Sequence, residues 1–365
     1  MNNSPSAYNL ILPEAELNNN NNDNNNNILN RANNINSCMQ NYLNQNIFNE
    51  YKNSYIYIER KLLNGKIRKG ILGAIDLENY NYLPGSNSPV RATELTVTER
   101  IPPRKLIRKN ACLELSHVIM LCDDYEFNLI EPFGKIKNNL TKIYDFDLML
   151  NGGNIKGWLV NGVEAENFNL RLQNYINKNK KISKSGNLIF AIGDGNHSLA
   201  TAKACYEDDK NILNRYAMVE LENLHDENLL FEPIHRLVKN IDPEKFLNDI
   251  KSICDDKNYY PVKFYYKNIS GTLNLKKDLG ASALHVLQNY LDQNKFEIDY
   301  IHDLPALKNL SSQNNNIGFE LPEFDAEAKL KFFDLISRSG TLPRKTFSMG
   351  HAQEKRYYLE ARRIK

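Results

Sequence analysis

The sequence lacks the features that assign a chain to several specialised classes of protein. Its 365 residues include only five cysteines and no CxxC pair, which argues against a disulfide framework and against a zinc site. No apolar run approaches the roughly 20 residues that cross a bilayer. The first residues do not show the basic start and apolar block of a signal peptide. We therefore expect a cytoplasmic protein with no membrane partner.

An excess of charge of one sign is also missing. The 46 basic and 44 acidic side chains leave a formal net charge of +2, so we expect no nucleic-acid partner. A Walker loop and a GxSxG elbow are absent as well, which removes two common enzyme signatures. Apolar residues make up 41% of the chain, an ordinary globular value, and the length allows one or two domains with a real core.

Asparagine, by contrast, is heavily used. Residues 18–27 are asparagine apart from Asp23. Such a tract cannot bury apolar surface, so we expect residues 1–27 to be a short segment followed by a disordered tract. Drift in an AT-rich genome explains the tract better than a prion-like role. Residues 28–365 are then one large domain, or two lobes comprising 28–240 and 241–365.

Hydrophobic periodicity predicts an α+β protein with a mixed sheet. Two strands around Asn64-Gly65 form a predicted hairpin. Residues 111–122 are predicted to be a buried strand or helix, and 188–221 a strand, glycine turn, helix and strand resembling a βαβ unit. Helices are predicted at 28–48, 165–176, 197–206, 243–253, 281–291 and 326–336, and strands at 55–63, 67–77, 188–192, 216–221, 259–266 and 317–321.

The strongest local motif is the run Gly193-Asp194-Gly195-Asn196-His197-Ser198, where a strand meets a helix. Two glycines let the backbone turn sharply and approach a ligand, and the free N–H groups of the helix suit a phosphate. Asp194 would hold a metal or act as a base, and His197 would contact the phosphate or transfer a proton. The alternative is structural: Asp194 or Asn196 caps the helix, and His197 is a surface residue.

Three further segments combine charge with hydroxyl or imidazole groups. His235 and Arg236 follow Glu232 in one run, where the arginine suits a phosphate or carboxylate and the alternative is a structural Arg–Glu pair. Arg91 and Glu94 lie in a second segment, for which the alternative interpretation is a solvated loop. Arg344 and His351 lie in a basic C-terminal run that is equally compatible with a polar hairpin.

Taken in order, these segments resemble the clostridial-type branch of the family known as domain of unknown function 1015. The resemblance rests on the following runs: Arg68-Lys69-Gly70-Ile71, Asp76-Leu77-Glu78, Arg91-Ala92-Thr93-Glu94, Arg100-Ile101-Pro102-Pro103-Arg104, Leu113-Glu114-Leu115-Ser116-His117, Gly193 to Lys203, Phe231 to Arg236, Lys345 to His351 and Glu354 to Arg362. It covers most of the chain.

The resemblance implies a function that the motifs alone do not show. The box at Asp194–Ser198 is similar to the nucleotide-phosphate box of the ParB and sulfiredoxin-like superfamily, which includes free-serine kinases. It implies a core of that type and a role in serine metabolism. Ser198 stands where many members have arginine, so a phosphate contact would have to come from Arg236, Arg91 or Arg344. Relatives also begin several dozen residues earlier, which implies a shortened chain.

We therefore expect phosphoryl transfer to serine, or phosphate removal from phosphoserine, as the activity. The expected catalytic residues are Asp194, His197, Glu94 and His235. The expected phosphate- or substrate-binding residues are Gly193, Gly195, Asn196, Ser198, Arg236, Arg91, Arg344 and His351. Asp194 and Glu94 would hold Mg²⁺, with ADP or ATP as the nucleotide and a small phosphometabolite as the partner. The alternatives are a non-catalytic nucleotide- or phosphometabolite-binding regulator and an inactive, truncated copy.

Overall fold

The chain folds into two compact units. One comprises Met1–Asn228 together with Gln353–Lys365, and the other comprises Leu229–Ala352. The computed structural model describes residues 4–13, 24–115, 118–182, 187–277, 282–322, 326–350 and 357–364. None of the helices in these ranges is long and apolar enough to span a membrane.

The regular elements alternate irregularly along the chain. The strands are β1 (Tyr55–Lys61), β2 (Ile67–Asp76), β3 (Tyr80–Asn81), β4 (Val90–Ala92), β5 (Leu113–Leu115), β6 (Ile119–Cys122), β7 (Thr141–Asp147), β8 (Asn154–Val160), β9 (Phe190–Asp194), β10 (Tyr216–Asn223), β11 (Phe231–Pro233), β12 (His235–Lys239), β13 (Tyr259–Tyr266), β14 (Ile269–Lys276), β15 (Glu297–Ile301), β16 (Ile317–Glu320), β17 (Phe347–Met349) and β18 (Ala361–Arg363). The α-helices are α1 (Asn24–Asn44), α2 (Ile101–Arg108), α3 (Glu131–Ile136), α4 (Gly162–Ile182), α5 (Asn196–Asp208), α6 (Pro243–Asp249), α7 (Ala283–Gln293), α8 (Leu304–Ser311) and α9 (Ala326–Ser339). Short 3₁₀ helices occupy Ala7–Leu10, Leu77–Asn79, Thr98–Arg100, Lys137–Asn139, Met149–Asn151, Ile212–Asn214 and Ile250–Ile253.

A nine-stranded mixed sheet forms the centre of the first unit. Its strand order is β3-β4-β9-β6-β10-β2-β1-β8-β7. The predicted α+β class with a mixed sheet is thus confirmed. So is the hairpin between β1 and β2, in which Ile56 pairs with Leu72 and Lys61 pairs with Ile67. The C-terminal strand β18 pairs with β5, which returns the end of the chain to this unit.

Three details of the predicted architecture differ from the structure. Helix α1 begins at Asn24, inside the asparagine tract, so the end of that tract is helical; residues 14–23 lie outside the described ranges. The apolar run 111–122 contains two short strands, β5 and β6, in different sheets. Strands β9 and β10 do not form a βαβ unit, because β6 lies between them, antiparallel to β9 and parallel to β10.

One face of the large sheet carries the main hydrophobic core. Side chains from its strands, such as Tyr57, Met120 and Val219, pack with Phe133 of α3 and Phe168 of α4. Trp158 is 5% exposed and belongs to this cluster. Burial of this many large apolar groups stabilises the unit and fixes which face of the sheet remains for polar side chains.

The second unit has its own antiparallel sheet, with strand order β14-β13-β16-β12-β15. Leu287 of α7 and Phe246 of α6 pack on it beside Val238, Val262 and Phe319. A separate two-stranded ladder joins β11 to β17. Each unit therefore buries an apolar cluster of its own, which is what an independently stable domain requires.

Two glycines with nearly the same positive φ provide a matched test of the packing in the first unit. Gly65 and Gly153 have φ of +81° and +83°, but a Cβ at Gly65 meets nothing within 4 Å, whereas one at Gly153 would lie 1.9 Å from the carbonyl oxygen of Lys61. Gly65→Ala is expected to cost about 1–2 kcal/mol of unfolding free energy through backbone strain alone. Gly153→Ala is expected to cost clearly more, as measured by urea denaturation. Equal costs would show that the loop around Gly153 relaxes freely.

Candidate active site

The glycine turn of the box lies between β9 and α5, as predicted. Gly195 is the N-cap of α5 and has φ +80° and ψ +21°, a left-handed conformation that glycine adopts without strain. The N-cap position itself supplies no side-chain cap, because glycine has no side chain. Asp194 accepts a hydrogen bond from the Gly195 N–H at 2.8 Å. The first N–H groups of α5 therefore follow a glycine N-cap, at the positive end of the helix.

Strand β4 brings a second polar segment to the same edge of the sheet. It runs parallel to β9, with Arg91 opposite Ala191, and the Thr93 hydroxyl donates to the Ile192 carbonyl at 2.6 Å. The carboxyl ends of two parallel strands share one edge of a sheet, so the segment that follows β4 lies beside the glycine turn. The half-buried Glu94 is in that segment.

His197 joins these two segments. Its Nε2 atom accepts a hydrogen bond from the backbone N–H of Val97 at 3.1 Å. A nitrogen that accepts cannot carry the proton of a neutral imidazole, so Nδ1 carries it in that form. His197 is half-buried, and its Nε2 atom holds the backbone of Val97. It is therefore not a fully exposed surface residue. In the neutral form, Nδ1 is therefore the ring nitrogen that can donate a hydrogen bond.

Both of these segments carry buried polar atoms that have no hydrogen-bond partner among the described residues. Arg91 is only 4% exposed, and its Nε and Nη2 atoms have no hydrogen-bond partner among the described residues. The hydroxyl oxygen of Thr96 and the side-chain Oδ1 atom of Asn196 are likewise buried without a hydrogen-bond partner among the described residues. Burial lowers the pKa of the Arg91 guanidinium, since water no longer solvates its charge. Buried polar groups are normally hydrogen-bonded, so these atoms are candidates for contact with a ligand.

His235, Arg236 and Arg344 belong to the second unit, where two of them have structural partners. Arg236 is fully buried. It donates through Nε to Gln288 at 2.7 Å, through Nη1 to the Ile234 carbonyl at 2.6 Å and through Nη2 to the Arg344 carbonyl at 3.1 Å. These three bonds orient the guanidinium inside the unit. Its contact with a phosphate stays a prediction, as does that of the half-buried Arg344; His351 lies outside the described residues.

His235 is also buried and accepts a hydrogen bond at Nδ1 from the Leu321 N–H at 3.1 Å. Burial lowers the pKa of His235, so below about pH 6.5 an unfolded chain takes up a proton that the folded protein resists. Stability is therefore expected to fall as the pH drops from 7.5 to 5.5. His235→Asn keeps an acceptor near Nδ1 and should flatten this fall in thermal-unfolding scans. His285, whose pKa burial also lowers, should leave part of the slope in place.

Comparison with known sequences decides the family. The chain matches the family described as "Protein of unknown function (DUF1015)" over residues 1–363. It belongs to the DUF1015 family. No functionally curated protein matches it.

Solved structures resemble this DUF1015 protein only distantly. SbnI with a C-terminal truncation, from Staphylococcus aureus, is 9% identical with a TM-score of 0.41, over 76% of this chain and 82% of that one. A free serine kinase mutant in complex with ADP is 10% identical with a TM-score of 0.40, over 76% and 86%. A conserved hypothetical protein from Pyrococcus furiosus is 11% identical with a TM-score of 0.37, over 76% and 89%.

Ser198 is the residue at which this DUF1015 chain departs from the arginine that the resemblance implies. It is half-buried and lines a cavity of about 430 Å³ in the first unit, together with Arg104 and Arg108 of α2. A short side chain at this position leaves the cavity open where an arginine would project. The sequence alone did not reveal the cavity, because its walls come from segments far apart in the chain.

Sequence reasoning also missed a group of buried charges on the face of the large sheet opposite the main core. Arg60, Arg68, Glu220 and Glu222 are each less than 5% exposed, and Arg68 Nε lies 3.0 Å from Glu222 Oε1. Burial, reinforced by the nearby charge of Arg68, lowers the pKa of Arg60 to about 10. The strand register runs from β10 through β6 and β9 to β4, and it places Arg91 of β4 on the same face of the sheet. The available signal was charge alternating with apolar residues in the strands predicted at 55–63, 67–77 and 216–221.

Proposed function

We propose that this DUF1015 protein binds a phosphate-bearing small molecule at the carboxyl ends of β4 and β9 and moves a phosphoryl group to or from it. The observation that carries the proposal is the pairing of the glycine N-cap of α5 at Gly195 with two buried guanidinium nitrogens of Arg91 that have no hydrogen-bond partner among the described residues. A phosphate would satisfy both, because it accepts from backbone N–H groups and from arginine alike.

Each residue of this edge has a proposed part in that chemistry. The turn from Gly193 to Gly195 lets the backbone approach the phosphate, and the first N–H groups of α5 hold it. Arg91 neutralises its charge. His197 donates from Nδ1 to a phosphate oxygen or passes a proton. Phosphoryl transfer depends mainly on positioning and on charge stabilisation, and these residues supply both.

We propose serine or phosphoserine as the organic substrate, following the resemblance of the box. In the forward direction, the serine hydroxyl oxygen bonds to the terminal phosphorus of a nucleotide, and the bond to the bridging oxygen breaks. The hydroxyl proton passes to a base, Asp194 or Glu94, and the shortened nucleotide leaves with the bridging oxygen. In the hydrolytic direction, water replaces serine as nucleophile toward phosphoserine. The test must distinguish the two directions.

Magnesium would bind at this edge only together with the phosphate, whose oxygens complete its coordination shell. Asp194 ends β9 and Glu94 follows β4, so two carboxylates stand near the proposed phosphate. Mg²⁺ is usually held by one or two carboxylates, with phosphate oxygens completing its shell. The described residues contain no group of three histidine, cysteine or acidic side chains that could hold a metal without that help. Magnesium would stabilise charge on the phosphate when bound.

Titration and turnover together test the proposal. Purified protein is titrated with ADP and with phosphoserine in magnesium buffer by isothermal calorimetry, and incubations of serine with ADP or ATP, and of phosphoserine alone, are followed by ³¹P NMR. We expect binding of at least one phosphate compound and the appearance of phosphoserine or of free phosphate. Failure to bind any of them, with or without magnesium, would remove the phosphate site.

A non-catalytic regulator is the second candidate, and Ser198 is the observation that favours it. A serine there contributes no positive charge to the transferring phosphoryl group. Binding of nucleotide without turnover of any phosphate compound would select this function over catalysis.

A further inference from the structure

The cavity beside α5 has a size and a lining that the proposed phosphate site does not explain. Ser198 is the third residue of the helix, so the cavity begins within one helical turn of the Gly195 cap. Its volume of about 430 Å³ falls in the range of small-molecule sites, and it far exceeds the space that a phosphate or the side chain of serine fills. A ligand anchored at the helix start therefore has room here for a much larger organic group.

The walls of the cavity combine apolar and polar side chains. Leu199 and Ala202 of α5, Met218 of β10 and Ile107 of α2 line it. The N-terminal segment from Leu10 to Pro13 lines it as well. This lining, which also includes Arg104, Arg108 and Glu114, suits a nucleoside, because the base packs on apolar side chains while its ring nitrogens and sugar oxygens contact polar ones.

One polar group in the wall is poised to fix the orientation of a base. Arg108 Nη1 pairs with Glu114 Oε2 at 2.5 Å, whereas its Nη2 atom is buried and has no hydrogen-bond partner among the described residues. Glu114 also accepts from Arg362 at 2.5 Å and from the Met218 N–H at 2.8 Å, so its carboxylate is satisfied and held in place. Opposing charges keep the pKa of Glu114 low. Arg108 Nη2 is left to donate to a ring nitrogen or a sugar oxygen.

The N-terminal segment is held in place by Tyr42 of α1. The Tyr42 hydroxyl accepts from the Ser6 N–H at 2.9 Å and from the Asn9 side-chain amide at 3.0 Å. Leu10 packs against Ile35 and Met39 of the same helix. These contacts fix the chain that continues into the cavity wall at Leu10 to Pro13.

We infer that this cavity binds the nucleoside of a nucleotide whose phosphates occupy the proposed site at Gly195, with residues 10–13 forming one wall. The inference rests on the proposed function and narrows its ligand to a nucleoside phosphate. Arg108 donates to the base or the sugar, and Ser198 keeps the passage between the two subsites open.

The test compares ADP with pyrophosphate, which lacks the nucleoside. The full-length protein should bind ADP at least tenfold more tightly than pyrophosphate in calorimetric titrations. Ala202→Met fills the cavity from α5 and is expected to weaken ADP binding at least thirtyfold while changing pyrophosphate binding less than twofold. Ala204→Met places the same side chain on the same helix, at a position that is not among the cavity-lining residues, and should leave both affinities unchanged.

The outcomes distinguish a failure of the proposed phosphate site from a failure of the nucleoside site. Binding of neither compound by the parent overturns the proposed function. Equal binding of both compounds, or an Ala202→Met variant that loses pyrophosphate as fully as ADP, overturns only the nucleoside site. If Ala202→Met does not fold, Arg108→Lys replaces it: this variant keeps the charge beside Glu114 but removes Nη2. It should weaken ADP at least fivefold and leave pyrophosphate unchanged; unchanged ADP binding would contradict the assignment.

Discussion

Arg91→Met is expected to weaken the binding of ADP or phosphoserine at least a hundredfold and, at the same time, to stabilise the protein in the absence of ligand. Two nitrogens of this guanidinium are buried without a partner among the described residues. A charge-assisted hydrogen bond contributes about 1.5–3 kcal/mol, so losing two of them to a phosphate costs a hundredfold or more in affinity.

The gain in stability follows from the same orphaned atoms. Burial without compensating bonds costs free energy, and a methionine of similar length fills the space without that cost. Unfolding free energy from urea denaturation is expected to rise by about 1–2 kcal/mol in the variant. A side chain that destabilises the empty protein but is needed for the ligand is the signature of a binding residue.

Arg171→Met is the matched control. Arg171 also has buried Nε and Nη2 atoms without a hydrogen-bond partner among the described residues. Its guanidinium, however, lies over the rings of Phe133 and Phe168, at 4.9 and 5.9 Å from their centroids, and that contact accounts for its position on the core side of the sheet. The control should bind phosphate compounds as the parent does. A loss of stability in Arg91→Met, with ligand binding intact, would instead show that Arg91 is a structural residue.

Local sequence patterns predicted the elements around the site because local physics determines them. The alternation of β1 and β2 and the Asn64-Gly65 turn specify a hairpin without help from the rest of the chain. The glycine turn before α5 is specified in the same way, since only glycine takes the left-handed cap at Gly195 at no cost. The pairing of β4 with β9 was not predictable, because it joins residues about 100 positions apart and β4 is only three residues long.

The same distinction explains which site residues the sequence could identify. Asp194, Asn196 and His197 are adjacent in the chain, so one motif reveals them together. Arg91 was among the predicted binding residues, but its burial was not foreseen, because a loop was the simpler interpretation of its surroundings. The buried charges of β1, β2 and β10 were missed because burial of a charged side chain depends on what covers the sheet, and a local pattern does not contain that information.

Substitutions at His197 are expected to separate its structural role from its catalytic one. Glutamine reaches about as far as Nε2 and can accept from the Val97 N–H, but it leaves nothing at Nδ1. Asparagine places its amide near Nδ1 and cannot reach Val97. Each variant therefore replaces the hydrogen-bonding group of one imidazole nitrogen and removes that of the other.

His197→Gln should unfold within about 0.5 kcal/mol of the parent but lose turnover by roughly 10²–10³-fold, the contribution of a positioned proton donor. His197→Asn should lose about 1 kcal/mol of unfolding free energy, the value of one hydrogen bond. It should retain more of the affinity for ADP than His197→Gln does. Urea denaturation, ADP titration and ³¹P turnover measure the three quantities. If glutamine preserves turnover and asparagine abolishes it, the bond to Val97 is the whole function of His197, and Arg91 with the N–H groups of α5 must act on the phosphate without an imidazole.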